Sequence, residues 1–513
     1  MVLLLAAFGA QAQAAGTTQR SVDCKALQSL DFSTVQDAPT QIIESKPVEA
    51  RRGHPDLCDV QGYVTPNVGF HLRLPESNWN QKFVEVGCGG QCGVFFDFLC
   101  DTPLRRGYAC IASDMGHKST TLDLKWAYNN LPAQIDWTFR ATHVVALAGK
   151  AIVSKYYERK PERSYMMGCS TGGHQGLVEA QRFPWDFDGI IAGAPSINMQ
   201  MWSPDRIWSV QVLTDRNGRP LFTPDDIRLL HEKVLAQCDL DDGVKDGIVG
   251  DPLSCHVNLD ELICKAGNTN RCLTREQVQA AKMRYSGPLT LAGEPLTAGG
   301  APLGSEINWL GASVGGADYA LDLFRYLNFM PAPGPTWQLS DFKLDRDYRR
   351  LGLIDSFYSA SNPDLREFKH AGGKMILYQG WQDPGPPVAH VIDYYETVTK
   401  TMAGLKSTQD FFRLFLVPGM NHCSGGEGAF AIDYLTYLEN WVEEGRPPNV
   451  MIGSHVPSYK DGYDAFMGLT FPLDPAIPVS FTRPVYPYPL HAKYTGRGDP
   501  NTAGNFVPVD PKR

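Results

Sequence analysis

From about residue 80 the chain alternates short apolar runs with amphipathic stretches. The runs lie in KFVEVG (82–87), YACIASD (108–114), RSYMMG (163–168) and DGIIAG (188–193), with helical spacing of apolar positions over 134–157 and again after Ser170. Strands that alternate with amphipathic helices predict parallel βαβ units and an α/β fold. A second region of the same kind opens at GGKMILYQG (372–380). It continues through a helix near 388–403, a strand in DFFRLFLVPG (410–419) and a helix over 428–444.

Between the two regions, over residues 201–365, the rhythm gives way to segments rich in Pro, Gly and Trp, with two close cysteine pairs and an acidic turn. This stretch reads as an inserted lid. The expected division is therefore a core over 20–200 and 366–513, interrupted by the lid, with a Pro-rich tail after residue 470 that wraps the surface. Trp202, Trp208, Trp309, Phe324, Tyr326, Phe329 and Trp337 supply more aromatic surface than a linker carries. Some of it is expected to roof a site and most to form the lid's own core.

Composition narrows the function classes. The 513 residues are 43% hydrophobic and 20% charged, enough apolar material for a large core. A net charge of −9 without a long Lys/Arg block speaks against nucleic acid as partner. Residues 2–10 form an apolar run followed by Ala12-Gln13-Ala14, which reads as a signal peptide over 1–14, although the first basic residue is Arg20. No later stretch reaches the roughly 18 apolar residues of a membrane-spanning helix. The expectation is a soluble, secreted or periplasmic protein with no membrane association and no obligatory protein partner. Twelve cysteines without paired CxxC spacing, behind such a leader, favour disulfides over metal thiolates.

Gly168-Cys169-Ser170-Thr171-Gly172 matches GxSxG, follows an apolar strand and precedes a helical stretch. That is the context of a nucleophile elbow, where small residues allow a turn tight enough to expose the serine oxygen. A serine hydroxyl is a weak nucleophile at neutral pH. It needs a base, and the base needs an acid to fix its tautomer. In chain order Ser, Asp, His, the partners are Asp383, past Met375 to Tyr378, and His422, past Phe415 to Val417; Asp393 and Asp433 are rivals for the acid. Among other late histidines, His370 precedes its strand, His390 falls inside a helix, and His455 and His491 lie beyond the last strand–helix unit. Acyl transfer also needs oxyanion donors. The N–H of Thr171 is one, and a glycine of Gly87-Cys88-Gly89-Gly90, with Gly89 favoured, is the other.

If Ser170 and His422 meet, then Cys169 and Cys423 beside them lie close together, and a bridge would tie nucleophile to base. YMMGCSTGGHQGL (165–177), FPWDFDGIIAGAP, YQGWQDP and FFRLFLVPGMNHCSGG resemble the tannase and feruloyl esterase family, which also holds mono(2-hydroxyethyl) terephthalate hydrolase. The resemblance implies the triad Ser170, Asp383 and His422, the bridge Cys169–Cys423 and a calcium-binding lid. His174 stands where that family commonly has Arg. The pairing of Cys24, Cys58, Cys88, Cys92, Cys100 and Cys110 stays open.

The acidic turn from Cys238 to Ile248 is not an EF-hand, since a Gly holds its fifth position and no Glu closes it. Its crowded carboxylates suit a hard cation. Asp239, Asp242 and Asp246, with the carbonyls of Val244 and Ile248, match the family's lid site for a structural Ca2+. The resulting expectation is a serine esterase acting on a small aromatic ester, most of all a hydroxycinnamate, with gallate esters or a terephthalate monoester as alternatives. A non-catalytic aromatic-ligand binder and an acyltransferase are the rival readings. For the substrate, Arg325 would meet a carboxylate, and Glu306 or Asp318 would meet phenolic hydroxyls.

Overall fold

The computed structural model describes residues 22–50, 53–266, 271–290, 292–311, 315–457 and 471–511. The leader expected over residues 1–14 lies outside them. Nine strands form one sheet in the order β1-β2-β3-β5-β4-β6-β7-β8-β9. They are β1 Thr40–Val48, β2 Leu57–Val64, β3 Val68–Pro75, β4 Lys82–Val86, β5 Ala109–Ser113, β6 Arg163–Cys169, β7 Gly189–Gly193, β8 Lys374–Gly380 and β9 Phe412–Val417. From β5 to β9 every pairing is parallel, whereas β1, β2, β3 and β5 pair antiparallel. The alternating rhythm thus describes the parallel half. The N-terminal meander has no intervening helices and gives no such rhythm.

The parallel strands are apolar throughout because both faces are covered. Phe83, Ile111, Met166, Ile190, Leu377 and Leu414 point to one face, where helices Ala141–Tyr156, Thr171–Arg182 and Val388–Thr401 pack. Their neighbours Val84, Cys110, Tyr165, Ile191, Ile376 and Phe415 point to the other, against Leu435, Leu438 and Trp441 of helix Tyr434–Glu444. A one-residue slip in any strand would exchange these two sets.

The last helix starts at Tyr434, six residues after the expected 428. Asp433 accepts the Thr436 N–H as its cap, and Ala431 before it bridges to Ser454. The tail also differs from a simple surface wrap. Tyr488 N–H donates to the Leu414 carbonyl at 2.8 Å, and Pro487 bridges Phe415, so this segment covers the open edge of β9.

Between β7 and β8 the chain forms a helical insertion. Its entrance and exit are pinned together, Ala360 N–H to the Ile197 carbonyl at 2.9 Å and Met199 N–H to Asp355 Oδ1 at 2.6 Å. Helix Met199–Leu213 is capped by Asn198, and helices Pro224–Cys238 and Arg275–Ser286 open with capping boxes at Thr223/Asp226 and Thr274/Gln277. Trp208, Phe222, Leu230, Leu262 and Trp309 form a separate small core. Trp202, Phe324, Tyr326, Phe329 and Trp337 instead join the main core on the helix side of the sheet. The expected aromatic content of a lid core therefore splits between two cores.

Candidate active site

Ser170 sits between the C-terminal end of β6 and helix Thr171–Arg182, at φ 61° and ψ −121°. A non-glycine residue holds this left-handed region only when its surroundings impose it. Here they do, since Ser170 N–H donates to the Gly193 carbonyl at 2.9 Å. The flanking glycines are required by close approach. A Cβ on Gly168 would come within 2.7 Å of Gly172 backbone, and one on Gly173 within 2.0 Å of the Gly193 oxygen. The elbow thus presents its hydroxyl over a helix N-terminus, where the first N–H groups point outward.

Asp383 and His422 stand on the loops after β8 and β9. His422 Nδ1 lies 2.8 Å from Asp383 Oδ2, and the second oxygen of Asp383 accepts the Gly385 N–H at 2.6 Å. Gln379 Nε2 adds a bond to Oδ2 at 3.1 Å, so the buried carboxylate is fully held. With Nδ1–H donated to Asp383, Nε2 is left as the basic nitrogen. The rivals are engaged elsewhere: Asp433 pairs with Arg106 and caps its helix, and Asp393 is exposed. His390 is fully buried, which pushes its pKa down to about 3.

Cys169 and Cys423 form a disulfide with Cα atoms 5.8 Å apart, joining the residue before the nucleophile to the residue after the base. All twelve cysteines are paired, the others as Cys24–Cys58, Cys88–Cys92, Cys100–Cys110, Cys238–Cys255 and Cys264–Cys272.

Ser170, Thr171 and His422 line one cleft, with Trp137, Trp202, Tyr319 and Tyr358 as aromatic walls. Gly90, rather than Gly89, is among its lining residues. Gly90 has φ +59°, and a Cβ there would meet the Thr121 carbonyl at 2.2 Å, while its own carbonyl accepts the Thr171 hydroxyl. The Gly89 carbonyl accepts the Cys92 N–H at 3.0 Å. A second cavity lies behind the Cys169–Cys423 bridge and is lined by Phe98, Met167, Phe430 and Tyr434. It reaches neither Ser170 nor His422 and so lacks the reacting groups.

His174 is fully buried behind the cleft wall. Its ring stacks on Tyr358 at 3.8 Å and Nε2–H donates to the Tyr358 carbonyl at 2.7 Å, while burial pushes its pKa down to about 4. His174 therefore touches a cleft-wall tyrosine and is not itself among the cleft's lining residues.

The sequence-based substrate contacts are not where they were expected. Arg325 pairs with Asp322 and donates to the Trp337 carbonyl. Glu306 is spent on His231, Tyr285 and the Gly304 N–H inside the insertion. Asp318 is not among the cleft's lining residues, although its neighbour Tyr319 is. Two contributors went unread: Arg206, on the cleft wall, and Asn308. The Asn308 amide donates to the Gln382 carbonyl at 3.1 Å and to Asn421 Oδ1 at 2.9 Å, joining the loops of Asp383 and His422 to the insertion.

In the acidic turn, Asp239 Oδ1 accepts the N–H groups of Asp246 and Gly247, and Asp242 Oδ1 accepts that of Val244. Asp246 meets Arg483 of the tail at 2.7 Å. Burial pushes the Asp242 carboxyl up to about 7, with the neighbouring Asp246 and Asp239 charges adding to it. Crowded, partly desolvated carboxylates of this kind fit a hard oxygen-seeking cation in donor chemistry. Among the described residues, three potential ligand atoms come within 4.8 Å of one another only at His143, Glu179 and Asp186. That cluster lies on the helix side of the sheet beside Lys150, which already donates to the Asp186 carbonyl.

Sheet topology and site describe an α/β-hydrolase-like carboxylic ester hydrolase. The chain belongs to the tannase and feruloyl esterase family, whose model matches residues 52–323 and 335–509. It is 32% identical to an uncharacterized esterase of Xanthomonas campestris, over 99% of this chain and 94% of that protein. It is equally 32% identical to the mono(2-hydroxyethyl) terephthalate hydrolase of Piscinibacter sakaiensis, over 89% and 85%. The crystal structure of feruloyl esterase B from Aspergillus oryzae superposes with a TM-score of 0.83 at 25% identity, covering 95% of this chain and all of that one. Tannin acyl hydrolase from Aspergillus niger shares the fold, with a TM-score of 0.73 at 19% identity, over 94% of each chain. No helix among the described residues is long and apolar enough to cross a membrane.

Proposed function

We propose that the protein is an exported serine esterase that hydrolyses aromatic carboxylic esters, hydroxycinnamates such as ferulate foremost, through an acyl-enzyme on Ser170. The observation that carries this reading is the meeting of Ser170, His422 and the His422–Asp383 hydrogen bond at a cleft walled by four aromatic rings.

His422 Nε2 removes the Ser170 proton as Oγ attacks the ester carbonyl, and Asp383 stabilises the imidazolium that forms. The N–H of Thr171 and an N–H from the Cys88-Gly89-Gly90 loop hold the developing oxyanion. Collapse of the tetrahedral intermediate breaks the ester C–O bond, and His422 returns its proton to the departing alcohol. Water, deprotonated by the same imidazole, then releases the acid. The insertion acts as a lid, placing Trp202 and Tyr319 over the elbow. Asp239, Asp242 and Asp246, with the carbonyls of Val244 and Ile248, would hold a Ca2+ ion that supplies structure to this lid and no step of the reaction.

An aromatic acyl group gains apolar burial and offset stacking worth about 0.5–1.5 kcal/mol per ring pair. Two such contacts predict kcat/KM on methyl ferulate or methyl gallate roughly 10- to 100-fold above a butyrate ester of similar size. A panel of methyl ferulate, methyl gallate, a terephthalate monoester and a butyrate ester checks this. A clear win for butyrate would remove the aromatic reading.

A further inference from the structure

Away from the cleft, on the helix side of the sheet, carboxylates crowd one buried spot. Glu179, on the helix that begins at the elbow, is fully buried, and neither of its carboxyl oxygens meets a donor. It faces Asp186, from the turn between that helix and β7, and His143, from helix Ala141–Tyr156. One ligand atom from each of the three lies within 4.8 Å of the others. Glu85 of β4 is also buried with Oε2 lacking a donor, and its charge acts on Glu179 as well.

A buried carboxylate without a donor is costly, and two that face each other repel unless a cation or a proton lies between them. Glu85, Glu179 and Asp186 share one ammonium, that of Lys150, while Asp188 nearby pairs with Arg163. Lys150 donates to the backbone carbonyl of Asp186, which leaves the Glu179 oxygens unmet. Three carboxylates against one ammonium leave two negative charges, the complement of one divalent cation. His143 adds a nitrogen ligand: Nδ1 lies 2.5 Å from Asp186 Oδ2, and stacking on Phe183 at 3.8 Å holds the ring. The His143 side chain is 13% exposed, so the cluster has one edge at the surface by which an ion can enter. An imidazole nitrogen with two carboxylate oxygens suits Zn2+ and similar transition metals, whereas calcium and magnesium prefer oxygen alone.

We propose that His143, Glu179 and Asp186 form a binding site for a divalent transition-metal ion, zinc foremost. The ion takes the place of the donor that Glu179 lacks and ties the helix carrying the elbow to helix Ala141–Tyr156 and to the turn before β7. Its role is structural, since no residue of the cluster lines the cleft. The site is separate from the acidic turn proposed for calcium, and it stands whether or not Ser170 is the nucleophile.

The whole chain is stripped with a chelator, returned to excess calcium so that oxygen-only sites are filled, and titrated with Zn2+. Metal analysis after gel filtration should find one more Zn2+ per chain in the wild type than in Glu179→Gln or His143→Gln. Zinc should raise the wild-type melting temperature by about 2 to 5 °C, the scale for a ligand well above its dissociation constant, and move both variants by less than about 1 °C. Co2+ in place of zinc should give the wild type the visible absorption bands of a mixed nitrogen and oxygen site, which both variants lack. Should Glu179→Gln fail to fold, His143→Gln decides, because its ring is partly exposed. Equal zinc content and equal melting shifts in wild type and folded His143→Gln would overturn the proposal. So would a wild type that neither takes up zinc nor shows the cobalt bands, in which case Glu179 and Asp186 share a proton.

Discussion

The strand ends that carry Ser170, Asp383 and His422 and the insertion that lines the same cleft are held together in different ways. At the strand ends, neighbours in space come from distant parts of the chain. The Cys169–Cys423 bridge spans 254 residues, and Asp383 is fixed by Gln379 and Gly385 against a histidine from the next strand's loop. Part of the insertion is held by local links instead. Its two disulfides span 17 and 8 residues, and a small core of its own packs around Trp208 and Trp309. Long-range links of this kind at the strand ends fix the distances among Ser170, Asp383 and His422. On the proposed function, the insertion would set substrate choice through its cleft-facing side chains.

Breaking the long bridge should therefore cost far more activity than breaking a short one. Cys169→Ser with Cys423→Ser is expected to lower kcat by about 100-fold, since a 1 Å loosening between nucleophile and base has that scale. Cys264→Ser with Cys272→Ser should leave kcat within about threefold. Similar losses in the two double variants would mean that the contrast between the regions is wrong.

Asn308 of the insertion bonds to both the Asp383 loop and the His422 loop. Asn308→Ala is expected to reduce kcat by roughly 10-fold with KM little changed, because two bonds of about 1 kcal/mol each are lost from the loops that place Asp383 and His422. An effect confined to KM would assign Asn308 to substrate binding instead.

Chelation should act on the insertion and spare the strand ends. Removing divalent ions is expected to lower the melting temperature by about 2 to 5 °C, with calcium restoring it better than magnesium, whose octahedral geometry the turn suits less well. A melting curve unchanged by chelator and by added calcium contradicts the calcium reading.

What the sequence made legible follows the same division. Ser170, Asp383 and His422 each sit just past an apolar strand, so local pattern and chain order located them. The Cys169–Cys423 pairing followed from the family resemblance. The cleft walls were not legible in this way. Trp137 lies in the helical stretch over 134–157 and Tyr358 in the insertion, and nothing in periodicity separates a side chain that faces a cavity from one that faces the core. Arg325 and Arg206 lie on different helices of one insertion, and only the packing of those helices shows that Arg206 reaches the cleft while Arg325 pairs with Asp322. The strands β1 to β3 were missed for another reason: an antiparallel meander carries no helices to mark its strands.

The central claim is that Ser170 is the nucleophile, and turnover by purified Ser170→Ala tests it most directly. The hydroxyl supplies chemistry and little packing, so kcat on p-nitrophenyl acetate and on methyl ferulate should fall by about 10⁴-fold or more, with the melting temperature within about 1 °C of wild type. Hydrolysis within tenfold of wild type by the folded variant would contradict the account.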